Sequence, residues 1–309
     1  MEDFWFPAAS LKGLAVRAET LRRIRDFFAQ RHVMEVETPL LSRAALPDEF
    51  IQPVTCGSLF LSTSPEAPMK RLLAAGSGPI YQITRAFRKD ECGPWHNPEF
   101  TMLEWYRPGF SWRDLIDETI ALVQSVLGGG PVREFTFEQA VRQWAGVCCF
   151  TASLEELVDC LPCQVPLDLD REGVLDLVLS QRVEPAFKAM GGLVVLTHFP
   201  EARAALARLD PGPPPVALRF ELYAQGVELV NGYQELTDAK EQEARLLKTN
   251  QRLQAAGQTA LPLDQHFLAA LRAGLPECAG AALGVDRLAM LAFGGQELSS
   301  VMAFPFDRA

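Results

Sequence analysis

The 309-residue sequence has no excess of positive charge. Its 29 Lys and Arg stand against 39 Asp and Glu, giving a formal net charge of −10 and an isoelectric point near 5.0. That balance argues against a broadly basic nucleic-acid surface, although a local patch remains open. No apolar run is long enough to span a bilayer, and the N-terminal stretch MEDFWFPAAS lacks a basic region followed by an apolar core. No membrane association and a cytoplasmic location are therefore expected. Nor is there a disulfide framework: seven cysteines, an odd count, fit reduced thiols better. Cys160-Leu161-Pro162-Cys163 has redox or half-zinc spacing, but no second pair at zinc-finger spacing follows. It reads, with the adjacent Cys148-Cys149, as loop or packing cysteines. No internal repeat occurs.

With 48% hydrophobic and 22% charged residues, the composition is that of a globular protein, of a length for one large domain or two small ones. Leu21, Ile24 and Phe28 mark one face of a helix over Arg17–Arg31, leading into a strand that ends at Pro39. Ser64-Pro65-Glu66 opens another helix, with Ser64 as N-cap, Pro65 at the first helical position, and Met69, Leu72 and Leu73 inward. Trp112, Leu115, Ile116, Ile120, Val123 and Leu127 form the stripe of a packing helix. Between Arg133 and Pro215 the pattern predicts helices around Leu154–Asp159 and Asp170–Arg182, a strand at Leu193–Thr197 and a loop at Pro211–Pro215. This stretch reads as an insertion within the fold.

The richest segment is Phe87–Tyr106, FRKDECGPWHNPEFTMLEWY. Tyr81–Arg88 alternates apolar and polar residues, Lys89–Pro98 carries Gly93, Pro94 and Pro98, and Glu99–Tyr106 resumes a strand-like run, so two antiparallel strands joined by a loop are predicted. Arg88 can offer a planar fork to an α-phosphate, His96 can reach outer phosphates, and Phe100 can present a flat face to adenine. Near the C-terminus, Gly280–Leu288 runs from small residues into a helix-like stretch. There glycine lets backbone approach a nucleotide, and Arg287 can cover the other adenine face while reaching the terminal phosphate. Further on, strands at Val216–Tyr223 and Val227–Glu235 meet at Gln225-Gly226, so that Glu221 and Glu228 can converge across a hairpin and suit Mg²⁺.

Taken together, Val33–Pro39, Phe87–Phe100 and Gly280–Arg287 resemble motifs 1, 2 and 3 of the class II aminoacyl-tRNA synthetases, in order and over nearly the whole chain. The likeness is greatest to lysyl-tRNA synthetases. It implies an α+β fold, an antiparallel sheet flanked by helices, in a single catalytic domain that dimerises through the motif 1 element. It further implies ATP and Mg²⁺ as cofactors, with Arg88 and Arg287 catalytic and with Lys89, Asp90, His96, Asn97, Phe100, Glu228, Leu229 and Gly284 also toward the nucleotide. Glu221 and Glu228 match the family's metal pair. Ser64, Pro65 and Glu66 match the contact to a lysine α-amino group, whereas the composition alone explains Glu66 as a first-turn acid serving the helix dipole. Glu235 matches the residue pairing with the ε-ammonium, Tyr106 the aromatic beside it, and Asn231 faces the carboxylate end. An ammonium out of water needs such a partner. Asp90 stands where the family commonly has glutamate, leaving the adenine-side contact to Asp90 or neighbouring Glu91, and Trp95 stands where arginine is frequent in the tRNA enzymes.

The acceptor separates the members of this class. Lysyl-tRNA synthetases place a β-barrel before the catalytic domain, whereas here motif 1 is finished by Pro39. With the acidic balance, this resembles most closely the elongation factor P lysine ligase family, which modifies a protein lysine and is not expected to bind tRNA stably. Ala282, where the tRNA enzymes carry a glycine, agrees and implies a preference for (R)-β-lysine over lysine. A truncated tRNA-charging ligase and a catalytically inert regulator are the competing readings.

Overall fold

The computed structural model of the protein describes residues 5–166 and 169–309, so the start of MEDFWFPAAS and two residues of the 133–215 stretch lie outside it. The chain falls into two compact units, one of Met1–Phe110, Leu122–Gly128 and Thr237–Ala309, the other of Ser111–Ala121 and Gly129–Leu236. Arg133–Pro215 lies within the second unit, which also takes in the Val216–Ala224 and Val227–Gln234 strands.

In the first unit the strands Ile80–Phe87 and Glu99–Pro108 form the antiparallel hairpin that the alternation predicts. The Arg88 N–H donates to the Pro98 carbonyl at 2.9 Å and closes the loop. Cys278–Gly284 pairs antiparallel with Glu99–Pro108, and Met34–Glu35 lies parallel to Ile80–Tyr81. Because side chains alternate along a strand, the sheet has two chemically different faces. Tyr81 and Trp105 share one, where Phe28 of the helix Leu11–Ala29 stacks on Tyr81 at 4.5 Å and meets Trp105 at 5.8 Å. Phe100, Met102, Glu104 and Tyr106 share the other, with Gln82, Ala282 and Gly284 directly across the strands from that row.

A buried ionic knot holds the two ends of the chain to this hairpin. Asp286, 2% exposed at the start of the helix Val285–Phe293, accepts from Arg17 and from the Thr101 backbone N–H at 2.6 Å, while Arg17 also donates to the Thr101 hydroxyl at 2.7 Å. The knot fixes the backbone next to both Phe100 and Arg287.

Three expectations are corrected in this unit. The first helix begins at Leu11, because Ser10 caps the Gly13 N–H, and ends at Ala29. The Val33–Pro39 strand narrows to Met34–Glu35, since Thr38 turns in to donate to Gln82 at 2.9 Å. The helix expected to have Ser64 as cap and Pro65 first runs Glu66–Ala74, with Pro65 at the cap position. Ser64 instead accepts from the Glu66 N–H at 3.0 Å while donating to Glu104 at 2.7 Å.

In the second unit, Val227–Gln234, Val216–Ala224, Leu193–Pro200 and Val132–Thr136 line up in that order, the last pair parallel and the others antiparallel. Helices Phe137–Ala145 and Leu154–Asp159 each begin with a capping box, Thr136 with Gln139 and Ser153 with Glu156. The single helix expected at Asp170–Arg182 is Arg171–Val178, capped by Asp170, followed by a π-turn at Leu179–Val183 and a second helix, Glu184–Met190. Pro185 has no N–H to bond back along the helix, and the chain widens just before it. Phe137, Phe187 and Phe199 anchor the core of this unit. Its cysteines are thiols: Cys149 is buried, Cys160 donates to the Leu157 carbonyl, and Cys163 is exposed beside Gln181. Among the described residues no helix is long and apolar enough to cross a membrane.

Candidate active site

The polar face of the first unit's strands carries two clusters. In the first, Arg88 leaves the end of its strand and lies with its guanidinium carbon 5.0 Å from the centre of the Phe100 ring, its Nη1 3.6 Å from Glu91. The buried Arg88 Nε has no hydrogen-bond partner among the described residues. An orphaned guanidinium N–H is costly to bury, and an anionic ligand would satisfy it. Lys89 and Asp90 are exposed, 4.0 Å apart, and Asp90 takes a left-handed backbone with φ 63°. Arg287 donates through Nε to the Trp95 carbonyl at 3.1 Å and through Nη2 to His96 Nε2 at 2.7 Å. Desolvation, then the Arg287 charge, holds the His96 imidazole below its ordinary value. Neutral histidine at pH 7 can accept from Arg287, and an anion arriving between them would release both.

Gly284 has an ordinary backbone, φ −75°, so no turn requires glycine there. A Cβ would stand 3.7 Å from Arg287 Cδ, and glycine leaves that space bare beside the guanidinium. Asn97, expected toward a nucleotide, ties the loop to the C-terminal segment: its amide donates to the Glu99 carbonyl at 2.6 Å and accepts from the Phe306 N–H at 2.9 Å. Trp95 donates to the Gln296 carbonyl at 2.9 Å in the same seam.

The second cluster is buried. Glu104, 3% exposed, accepts from the Ser64 hydroxyl at 2.7 Å and the Tyr106 hydroxyl at 2.5 Å. Glu66 pairs with the ammonium of Lys70, one helical turn on and 1% exposed, at 2.5 Å. Desolvation, then the charge of Glu66, pushes the Glu104 carboxyl up to about 8. Ala282 is half-buried directly across the strands from Glu104. Sequence reasoning named Ser64, Glu66, Tyr106 and Ala282 here but missed Lys70 and Glu104. The signals were present: Lys70 is one turn from Glu66, and Glu104 is two residues from Tyr106 on the same strand face.

In the second unit a bulge builds the other constellation. Leu222 pairs with Val230, but the next residue, Tyr223, pairs with Glu228, so Leu229 is an extra residue without an opposite. Regular pairing would put Glu228 on the face opposite Glu221, and the extra residue rotates it onto the same one. That face carries Arg219, Glu221, Tyr223, Glu228, Asn231 and Tyr233. Glu221 accepts from Arg219 and, at 2.5 Å, from the Tyr223 hydroxyl. Arg219 also donates to Asn231 at 3.2 Å, and Asn231 donates to Tyr233 at 3.0 Å. Burial raises Glu221, Arg219 opposes the shift, and the Glu228 charge adds to it. Leu229 is 3% exposed, which leaves only its backbone for a ligand. Glu235, 1% exposed, follows the strand and bridges to Ala207. Arg219, the cation balancing this acidic face, escaped sequence reasoning.

The described residues contain no group of three or more His, Cys, Asp or Glu able to hold a metal alone. Glu221 and Glu228 still fit a divalent cation that takes its other ligands from phosphate and water, because two carboxylates on one face repel one another and a cation relieves that repulsion.

A synthetase sheet with motif-bearing hairpins predicts kinship that whole-chain comparison bears out. The family described as tRNA synthetases class II (D, K and N) matches residues 7–308, and the chain belongs to it. It is similar along its whole length to proteins named "Elongation factor P--(R)-beta-lysine ligase". That of Vibrio cholerae serotype O1 is 47% identical over 99% of this chain and 98% of the relative. That of Vibrio atlanticus is 44% identical over 100% of both, and that of Proteus mirabilis 44% identical over 99% and 98%.

Proposed function

We propose that this protein activates (R)-β-lysine, or lysine, with ATP and transfers it to the ε-amino group of a lysine on elongation factor P. The observation that carries the reading is the 47% identity, over essentially the full length of both chains, to a relative bearing that activity in its name.

In the first step an oxygen of the substrate carboxylate attacks the α-phosphorus of ATP. The bond to the β-phosphate oxygen breaks, leaving an aminoacyl-adenylate and pyrophosphate. Arg88, with its unsatisfied Nε–H, holds the α-phosphate as charge accumulates there, and Phe100 gives the adenine a flat partner. Arg287 and His96 exchange their mutual bond for the outer phosphates. Glu221 and Glu228 would hold Mg²⁺, which would neutralise phosphate charge. Glu66 receives the amino group nearest the carboxylate, and Glu235 with Tyr106 the ε-ammonium. In the second step the acceptor amine attacks the acyl carbon and AMP leaves. Adenylate formation is tested by ATP–pyrophosphate exchange, which should require lysine or (R)-β-lysine. Exchange with neither amine would remove the assignment.

Ala282 sits across from Glu104, where the substrate amine is expected. Ala282→Gly should shift preference from (R)-β-lysine toward lysine by roughly tenfold in kcat/KM, the scale of one methyl group in a fitted pocket. Competition between the two amines in the exchange assay reads this directly.

The protein works as a homodimer through its first helix and motif 1 segment. Leu11 is 85% exposed, Met34 50%, Leu40 38% and Leu41 44%, apolar side chains that a second copy would cover. Sedimentation equilibrium should return twice the chain mass. tRNA is not a stable ligand, and the need for ATP and a translation factor sets the reaction in the cytoplasm.

A further inference from the structure

A cavity outside both clusters lies wholly within the first unit, between the chain at 39–46, the chain at 61–64, the helix Glu66–Ala74 and the start of the helix Gln265–Gly274. Ala44, Leu46, Leu61 and Ala67 give it apolar walls, and it encloses about 120 Å³. A cavity of about 150 Å³ holds benzene, so this one has room for an aliphatic group of about four carbons. Of the residues assigned above to the substrate amine, Ser64 alone lines it, and the Ser64 hydroxyl is spent on Glu104. The cavity is therefore a separate space.

Two opposite charges stand on this cavity without meeting. Arg71 is exposed and, among the described residues, its guanidinium makes no ion pair and no hydrogen bond. Asp264 caps the helix Gln265–Gly274 through Oδ1 alone, which accepts from the His266 N–H at 2.9 Å and the Phe267 N–H at 3.0 Å, so that Oδ2 is unspent. The Thr63 hydroxyl between them in the lining also has no partner among the described residues. Arg71 in a last helical turn suits the helix dipole, and Asp264 suits its cap. Neither role uses the guanidinium N–H groups or Oδ2.

We propose that this cavity binds a free α-amino acid with a branched aliphatic side chain, of the size of leucine. Arg71 takes the carboxylate, Asp264 Oδ2 takes the ammonium, and the side chain enters between Leu46, Leu61 and Ala67. A carboxylate without an amine would set an anion against Asp264, and an amine without a carboxylate would set a cation against Arg71. Only a ligand carrying both charges complements the pair. Either end of a peptide supplies one of the two charges, whereas a free amino acid supplies both on neighbouring atoms. The site is independent of the reaction proposed above, because the lysine-type substrate is held by other residues.

Ligand-observed NMR on the full chain tests this with three probes: L-leucine, 4-methylpentanoate, which is leucine without its ammonium, and 3-methylbutylamine, which is leucine without its carboxylate. Leucine should bind saturably and each truncated probe about tenfold or more weakly, on the scale of one charged hydrogen-bonded contact. Arg71→Gln should weaken leucine and 4-methylpentanoate and leave 3-methylbutylamine unchanged. Asp264→Asn, which still caps the helix, should weaken leucine and 3-methylbutylamine and leave 4-methylpentanoate unchanged. Leucine binding should persist when lysine and ATP are saturating. No saturable leucine binding to the parent overturns the inference, and so does equal binding of all three probes, neither of which depends on how the variants fold. Displacement of leucine by lysine would put it in the amine pocket and also overturn the inference, leaving the proposed function standing.

Discussion

Replacing Arg88 with alanine is expected to lower ATP–pyrophosphate exchange by about a thousandfold or more while leaving the thermal midpoint within a few degrees of the parent. The magnitude is that of removing a preorganised cation from a phosphoryl transition state. The stability expectation follows from its surroundings. Among the described residues Arg88 makes one loose ion pair, 3.6 Å to Glu91, and leaves a buried N–H without a partner, so the folded protein gains little from it. A residue that contributes little to the fold yet is held over Phe100 at 5.0 Å is open to a ligand, and the exchange assay tests that role. Normal exchange in Arg88→Ala would remove it from the reaction. Loss of exchange together with collapse of the thermal midpoint would make its role structural.

Glu235→Gln should separate amino acid from nucleotide. Glu235 is 1% exposed at the end of its strand, and a buried carboxylate facing a substrate ammonium is the kind of pair whose one-sided loss costs about 3–5 kcal/mol, roughly a hundred- to a few thousandfold in affinity. The KM for lysine or (R)-β-lysine should rise by about that factor with the KM for ATP unchanged. Equal losses on both substrates would assign Glu235 to the fold.

Much of this was legible in the sequence because it depends on local patterns. The hairpin from Ile80 to Pro108 follows from alternation broken by Gly93, Pro94 and Pro98, and a two-residue period puts Phe100 and Tyr106 on one face. What escaped depends on pairing between distant segments. The bulge at Leu229 is set by how Val216–Ala224 meets Val227–Gln234, and it alone turns Glu228 toward Glu221. Lys70 was not singled out in the sequence, because its burial depends on its helix meeting Glu104 and Tyr106 of a distant strand. Asn97, in the nucleotide motif, makes another such contact: its side-chain oxygen accepts from the Phe306 N–H, 209 positions away in the chain. The π-turn at Leu179–Val183 was hinted at by Pro185, but periodicity could not say whether the helix would kink, widen or stop.

The central claim is transfer to a protein, and one competition tests it. Purified protein, ATP with Mg²⁺, and (R)-β-lysine or lysine are incubated with elongation factor P and lysine tRNA together. Intact-mass spectrometry follows the factor and acid-gel electrophoresis the tRNA. The expected result is a gain of one lysyl mass on elongation factor P with the tRNA uncharged. Charged tRNA beside an unmodified factor would contradict the account and make this chain a compact tRNA-charging enzyme.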